Sequence, residues 1–245
     1  MVTPQPVSPD PPPLRGRPIM RQRWADVAFL HWRVDAARVA PLLPPGTTPD
    51  VFDGSTWVGL IPFRMVGAGV GTGPAVPWLG TFDETNVRLY AVDATGRRGV
   101  VFRSLEASRL AVVLGARLTF GLPYHWARMR VRRSGGEIEY ASTRRVSGGS
   151  RASRTRIVVR PGTTAVRDDP LADFLTARWA LHSRWLGRSL FVPNQHERWP
   201  LVTATLLDLD DTLVAAAGLP GVADRAPESV LWSAGVRTEF GRPQR

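Results

Sequence analysis

Apolar and polar side chains alternate over long stretches of the chain, and this period of two predicts half-buried β-strands. Residues 25–34 (ADVAFLHWRV), 55–70 (STWVGLIPFRMVGAGV) and 229–240 (SVLWSAGVRTEF) each read as a strand. Two hairpins follow from turn residues set between such runs. In the first, ETNVRLYAV (84–92) and GVVFRSLEA (99–107) flank DATGRR, so Glu84, Asn86, Arg88 and Tyr90 share one face. Glu84 and Glu106 then stand at the outer ends of the two strands, where they could lie close together. In the second, WARMRVR (126–132) turns at RSGG into EIEYA (137–141), and the expected pairs are Arg132–Glu137, Arg130–Glu139, Val131–Ile138 and Met129–Tyr140. A third hairpin is expected around Gly187, bringing His182 and His196 towards each other.

Helical spacing is rarer. Residues 35–46 predict a short helix with Asp35 as N-cap and Pro44–Pro45–Gly46 as its stop. SRLAVVLGARLTFG (108–121) has helix periodicity, with Ser108 placed to cap the start and Gly121 the end. DDPLADFLTARW starts a further helix with Asp169 as N-cap and Pro170 in its first turn, and DDTLVAAAGL (210–219) reads as another. Strands outnumber helices and do not alternate with them. The expected class is α+β, mostly β: a large antiparallel sheet or barrel with a few peripheral helices. Residues 1–18 hold seven prolines and read as a disordered, partly extended tail, leaving 19–245 as a single domain. The Gly- and Pro-rich stretch at 67–80 suits a flexible lip or lid; its glycines lack nucleotide-binding spacing.

Composition narrows the chemistry. The chain has no cysteine, and all 32 basic residues are arginine. No thiolate and no side-chain amine is available, which excludes a Schiff base or a lysine base. The N-terminus has no signal-peptide pattern and no apolar run reaches membrane-spanning length, so a cytoplasmic protein without membrane association is expected. Net charge is +11, and residues 128–160 carry ten arginines against Glu137 and Glu139. A basic patch of this kind could attract nucleic acid or another polyanion, but two of its arginines already have partners in the expected hairpin, so this is the lesser reading.

LLDLDDTL (206–213) fits the Asp-x-Asp-x-Thr nucleophile motif of haloacid-dehalogenase-type phosphatases. The lysine and parallel α/β domain of that family are missing, and the acids are better read as surrounding a helix N-terminus. The four histidines show no metal-ligand spacing, so no metal and no cofactor is expected. His31 sits in an apolar run and reads either as a structural histidine or as a further contact to a bound compound.

The segments FLHWRVDAARVAPLLPPGTTPDVFDGSTWVGLIPFRM, ETNVRLY, GLPYHWARM and PESVLWSAGVRTEF together resemble the DUF2071 (YqjF-like) family from about residue 20 to 241. That family is similar in fold to acetoacetate decarboxylase, which implies an antiparallel β-barrel or double cone around an apolar cavity. The decarboxylase carries Gly-x-Pro-Lys-Lys, whose first lysine forms the imine with substrate. Here GLPYH keeps the frame at Gly121 and Pro123, while Tyr124 and His125 stand where the lysines would be. The resemblance also matches an upstream glutamate of the decarboxylase to Glu84. It therefore implies the fold without the Schiff-base mechanism.

The site expected from these readings has His125, Glu84 and Tyr124 as acid/base candidates, with Arg88, Asn86, Glu106 and His31 binding a small, mostly apolar carbonyl or carboxylate compound. Adjacent strand residues face opposite ways, so only one of Tyr124 and His125 can face the cavity. The protein is either an enzyme, lyase- or hydrolase-like, or a small-ligand binder without chemistry. A homo-oligomer is compatible with either.

Overall fold

A computed structural model describes residues 2–145 and 152–244. Twelve strands form one sheet: β1 Met20–Val34, β2 Thr47–Pro49, β3 Thr56–Val70, β4 Phe82–Asp93, β5 Arg98–Ala107, β6 Tyr124–Ser134, β7 Glu137–Arg144, β8 Arg154–Ala165, β9 Ala180–Trp185, β10 Arg188–His196, β11 Leu201–Asp211 and β12 Ser229–Phe240. The helices are α1 Ala36–Val39, α2 Leu110–Phe120, α3 Pro170–Thr176 and α4 Leu213–Ala216. The chain is mostly β and the sheet mostly antiparallel, as expected; β5 pairs in parallel with β6 and, at Val100–Leu181, with β9.

The strand order closes on itself twice. One ring runs β5–β6–β7–β8–β11–β12–β1–β3–β4 and back to β5. A second runs β5–β9–β10–β12–β1–β3–β4, because β10 also pairs with β12. Strands β12, β1, β3, β4 and β5 belong to both rings. The wall they form is covered on both faces, and for that reason β4 and the first half of β3 are buried at most positions on both sides of the strand. Leu30, Trp32, Val58, Leu60, Val87, Leu89, Ile138, Ile157 and Val159 fill the first ring. Each such side chain contributes about 1.5–3 kcal/mol on burial. The alternate residues of the same strands, among them Phe29, Ile61, Phe63, Phe82 and Leu105, face the second ring.

A β-bulge decides which side chains reach which ring. Near the turn, Arg88 pairs with Phe102, but beyond it Val87 pairs with Ser104, so Arg103 is an extra residue on β5. Its guanidinium turns outwards to the carbonyls of Ala217 and Leu42. Past this point the parity of β5 is reversed. Leu105 and Ala107 join the second ring, and Ser104 and Glu106 turn to the other side. Glu84 therefore pairs with Ala107, and Glu106 with Thr85. The expected approach of Glu84 to Glu106 does not occur.

Other local expectations are corrected too. The second hairpin turns in two residues, Gly135 and Gly136, both with positive φ. Its register is two residues tighter than expected, with Arg132 opposite Glu139 and Val131 opposite Tyr140. A shift of two preserves the faces. Ser108 does not cap α2; its hydroxyl accepts from the Asp83 amide instead. His182 pairs with Phe191 and His196 with Thr238, so the two do not face each other. Asp208 and Asp210 lie within strand β11, not at a helix start, and form ion pairs with Arg156 and Arg154 of β8. Asp211 alone serves the following helix, accepting from the Val214 amide.

The caps at Asp35 and Asp169 form as the sequence suggests. Residues 2–18 have no helix or strand and touch the domain at several points: the Trp179 indole donates to the Ser8 carbonyl and the Leu14 amide to Gln195. No helix among the described residues is long and apolar enough to cross a membrane.

Gly121 ends α2 in the left-handed region (φ 62°) and feeds the chain into β6. A Cβ there would collide with the Arg184 carbonyl of β9. Gly121→Ala should lower unfolding free energy by about 2 kcal/mol or more, measurable by urea denaturation, whereas alanine at Gly115, where a Cβ meets nothing within 4 Å, should not destabilise the fold.

Candidate functional site

The second ring is not filled. It encloses a cavity of about 600 Å³. Strands β1, β3, β4 and β5 form one side, with Trp24, Phe29, Ile61, Phe63, Phe82 and Leu105 among the lining residues. Helix α2 covers another through Val112, Gly115, Ala116 and Thr119, and Val76, Leu79 and Gly80 of the 71–81 loop close an end. That loop is tied to β3 by backbone bonds from Ala68 to the Gly80 carbonyl and from Val76 to the Ala68 carbonyl. Few polar side chains reach the cavity; those of Glu84, Asn86, Arg88 and Tyr124 are grouped on β4 and the start of β6.

Glu84, 3% exposed, accepts a 2.9 Å hydrogen bond from the Tyr124 hydroxyl. Strand alternation sends Tyr124 inwards and His125 to the opposite face. The Arg117 guanidinium of α2 also donates to the Tyr124 carbonyl at 2.6 Å, fixing the strand's first residue against the helix. Burial pushes the Glu84 carboxyl up to about 8, against the opposing pull of its bonds to Tyr124 and Asn86. At neutral pH it is a neutral acid with one O–H to donate. Asn86, the next residue on that face, has a buried Oδ1 with no donor among the described residues. Burial, and then the adjacent Glu84, raise the Tyr124 hydroxyl well above the usual phenol range.

Arg88 lines the cavity further along β4. It donates through Nε to the Tyr90 hydroxyl (3.0 Å) and through Nη2 to the Leu175 carbonyl (2.9 Å). Tyr90 in turn meets His31 Nε2 at 2.6 Å. His31 lies behind this contact and is not part of the cavity wall. Burial, with Arg88 and Arg178 nearby, drives its pKa well below the usual histidine value. Arg178 is itself buried and ion-paired to Asp50 at 2.5 Å.

The remaining expected residues form a separate cluster. Glu106 is fully buried and takes a bidentate contact from Arg144, the shortest bond being 2.6 Å, and a 2.6 Å bond from the Ser104 hydroxyl. His125 pairs with Glu106 across the β5–β6 ladder. Burial lowers its pKa; Arg144 acts in the same direction and Glu106 against it. The structure thus brings Glu84, Tyr124, Asn86 and Arg88 together at the cavity, and separates Glu106, His125 and His31 from it. Sequence reasoning missed Arg144, Ser104, Arg178 and Asp50, whose partners come from strands and loops far apart in the chain. Of the ten arginines at 128–160, Arg133, Arg144, Arg154, Arg156 and Arg160 are in ion pairs; Arg151 lies outside the described residues. Among the described residues no group of three or more His, Asp or Glu is placed to hold a metal ion.

Residues 21–237 match DUF2071, a family of uncharacterized conserved proteins. The chain belongs to that family. YqjF of Bacillus subtilis (strain 168), itself described as uncharacterized, is 32% identical over 203 residues, 82% of each chain. Solved structures similar to this DUF2071 protein share its fold at low identity. Acetoacetate decarboxylase from Legionella pneumophila is 13% identical with a TM-score of 0.63, covering 97% of this chain and 92% of its own. An acetoacetate decarboxylase-like enzyme from Sphingomonas wittichii RW1 is 14% identical with a TM-score of 0.62, covering 94% of both chains. The enduracididine biosynthesis enzyme MppR, solved with pyruvate, is 16% identical with a TM-score of 0.61, covering 94% and 91%. The double ring is thus the acetoacetate decarboxylase-like fold.

Two outcomes follow from the placement of the acids. Because the folded state holds the Glu84 proton up to about pH 8 and the unfolded chain releases it near pH 4.5, Glu84 makes stability fall as pH rises between those values. Glu84→Gln should flatten that fall, giving a higher melting temperature than the native chain at pH 9 and a similar one at pH 4; melts over that pH range measure it. Arg144→Ala should cost about 3 kcal/mol by stranding the Glu106 carboxylate in the interior, and Glu106→Gln in the same background should recover part of the loss in chemical denaturation.

Proposed function

We propose that the DUF2071 cavity binds a small, mostly apolar carbonyl or carboxylate compound and that Glu84 performs acid/base chemistry on it without a Schiff base. The observation that carries this reading is the Glu84–Tyr124 hydrogen bond on the wall of a mostly apolar cavity. A carboxyl kept neutral at pH 7 can give its proton to a carbonyl oxygen or to a carbon losing an electrophile, and as carboxylate can take a proton back. Tyr124 keeps its own proton and holds Glu84 in place by donating to it. Arg88 supplies the charge that receives a ligand carboxylate. The reaction class is lyase- or hydrolase-like. MppR, of the same fold, has been solved with pyruvate, a carbonyl acid, which supports a ligand of that chemistry. A chain free of cysteine fits a cytoplasmic setting.

The near-complete apolar lining also favours a second reading, a binding protein without chemistry, in which the same residues only orient the ligand. Native mass spectrometry of freshly purified protein, compared with its denatured mass, decides whether a compound is held. The expected result is an extra small mass lost on denaturation. Turnover of that compound should then fall at least about 100-fold in Glu84→Gln while the bound mass persists. A bound mass that the native chain never turns over would establish the binding protein, and equal turnover in the variant would remove Glu84 from the chemistry.

A further inference from the structure

We infer that the ligand is an elongated carboxylic acid, with its carboxylate on Arg88 and a carbon about six bonds along its chain against Glu84 and Tyr124. This rests on the reading of the cavity as a small-molecule site and adds the shape and class of its occupant.

The length comes from the strand. Glu84 and Arg88 lie on one face of β4, four residues apart, and the β3–β4 register is unbroken from Val58–Leu89 to Met65–Phe82. The extra residue in this region belongs to β5, so β4 runs without an interruption between the two residues. Their Cα atoms are thus about 13 Å apart. Arg88 does not lean back towards Glu84. Its bonds to Tyr90, two residues further on, and to the Leu175 carbonyl draw it the other way. Allowing about 3 Å for a hydrogen bond at each end leaves about 7 Å to be spanned, roughly the length of six carbon–carbon bonds. A three- or four-carbon acid cannot touch both ends.

The charge comes from an unmatched cation. Among the described residues Arg88 forms no salt bridge, whereas the neighbouring Arg178 is paired with Asp50. The Arg88 Nη1 amine has no acceptor among them either. Its other neighbours are apolar or neutral: it lies over the rings of Phe29 and Tyr90, at 5.7 and 5.5 Å. A half-buried guanidinium in such surroundings is costly unless an anion completes it. Between Arg88 and Glu84 the wall holds Asn86 and the apolar Phe29, Ile61, Phe102 and Leu105, and the apolar residues suit methylene or ring carbons. The cavity volume of about 600 Å³ is also far larger than a pyruvate-sized acid needs.

Trp24 and Trp199 line the cavity and are stacked at 5.9 Å, so tryptophan fluorescence can report its occupation. Straight-chain acids of three to twelve carbons, each with its methyl ester, would be titrated into the full chain. Expected are affinities rising about threefold per added methylene up to eight or ten carbons, and acids bound at least tenfold more tightly than their esters. Arg88→Gln should remove the preference for acid over ester. If three- and four-carbon acids bind as tightly as octanoate, the elongated ligand is wrong while the cavity reading stands. Equal binding of acid and ester to the native chain would overturn the Arg88 anchor, even if the Arg88 variant fails to fold. If no acid or ester binds at any length, both this inference and the proposed function fall.

Discussion

The wall shared by the two rings governs what any residue in β1, β3, β4 and β5 can be. Along its central stretch each side chain points into one enclosure or the other, and most are buried. Apolar residues satisfy this at once. A polar or charged residue needs a charged partner inside the same enclosure, must give up its charge, or is left with neutral hydrogen-bond partners alone. All three outcomes occur within a few residues. Glu106 is matched by Arg144 and Ser104. Glu84, with only neutral hydrogen-bond partners, is held as the acid. Arg88 stands at the wall bonded to the Tyr90 hydroxyl and the Leu175 carbonyl, with no carboxylate opposite among the described residues.

The two enclosures differ in use although they share strands. The first is occupied by a cluster of buried apolar side chains and anchors the fold. The second is left partly empty, and that emptiness is sustained by rigid walls: helix α2 is pinned by Gly121 at its end and by Arg117 to β6. A cavity of this size costs stability, because its lining atoms lose contacts they would have in a filled core. A closed ring can carry this loss because its backbone hydrogen bonds do not depend on the filling.

Much of this was legible in the chain. Alternation placed β1, β3, β4, β5 and β12, the Asx caps placed two helix starts, and Glu84, Asn86 and Arg88 were correctly put on one face of one strand. What failed had a local physical cause. The bulge at Arg103 has no signature in GVVFRSLEA, which alternates acceptably in either parity, so Glu106 was carried to the wrong side. The arginines of β8 and the aspartates of β11 looked like a basic cluster and a catalytic motif because each was read alone. Side by side they neutralise each other across neighbouring strands. The Glu106–Arg144 and Asp50–Arg178 pairs join residues 38 and 128 positions apart, a distance that no periodicity reaches. The question of Tyr124 against His125 needed only the direction of one strand, but that direction is set by tertiary pairing with β5.

The extra residue in β5 has an evolutionary meaning. In a closed sheet with two chambers, whether such a residue is bulged out or taken into the ladder decides the chamber address of every later side chain in the strand. Were Arg103 taken into the ladder opposite Val87, the pairing that holds nearer the turn would continue and set Glu106 directly opposite Glu84, inside the second chamber and away from Arg144. Two carboxyls in one apolar space would have to share a proton, and the chamber would acquire a different acid/base character with no substitution at all. Related chains can therefore carry similar residues in this strand and still differ in what the chamber can do, according to whether the bulge is kept.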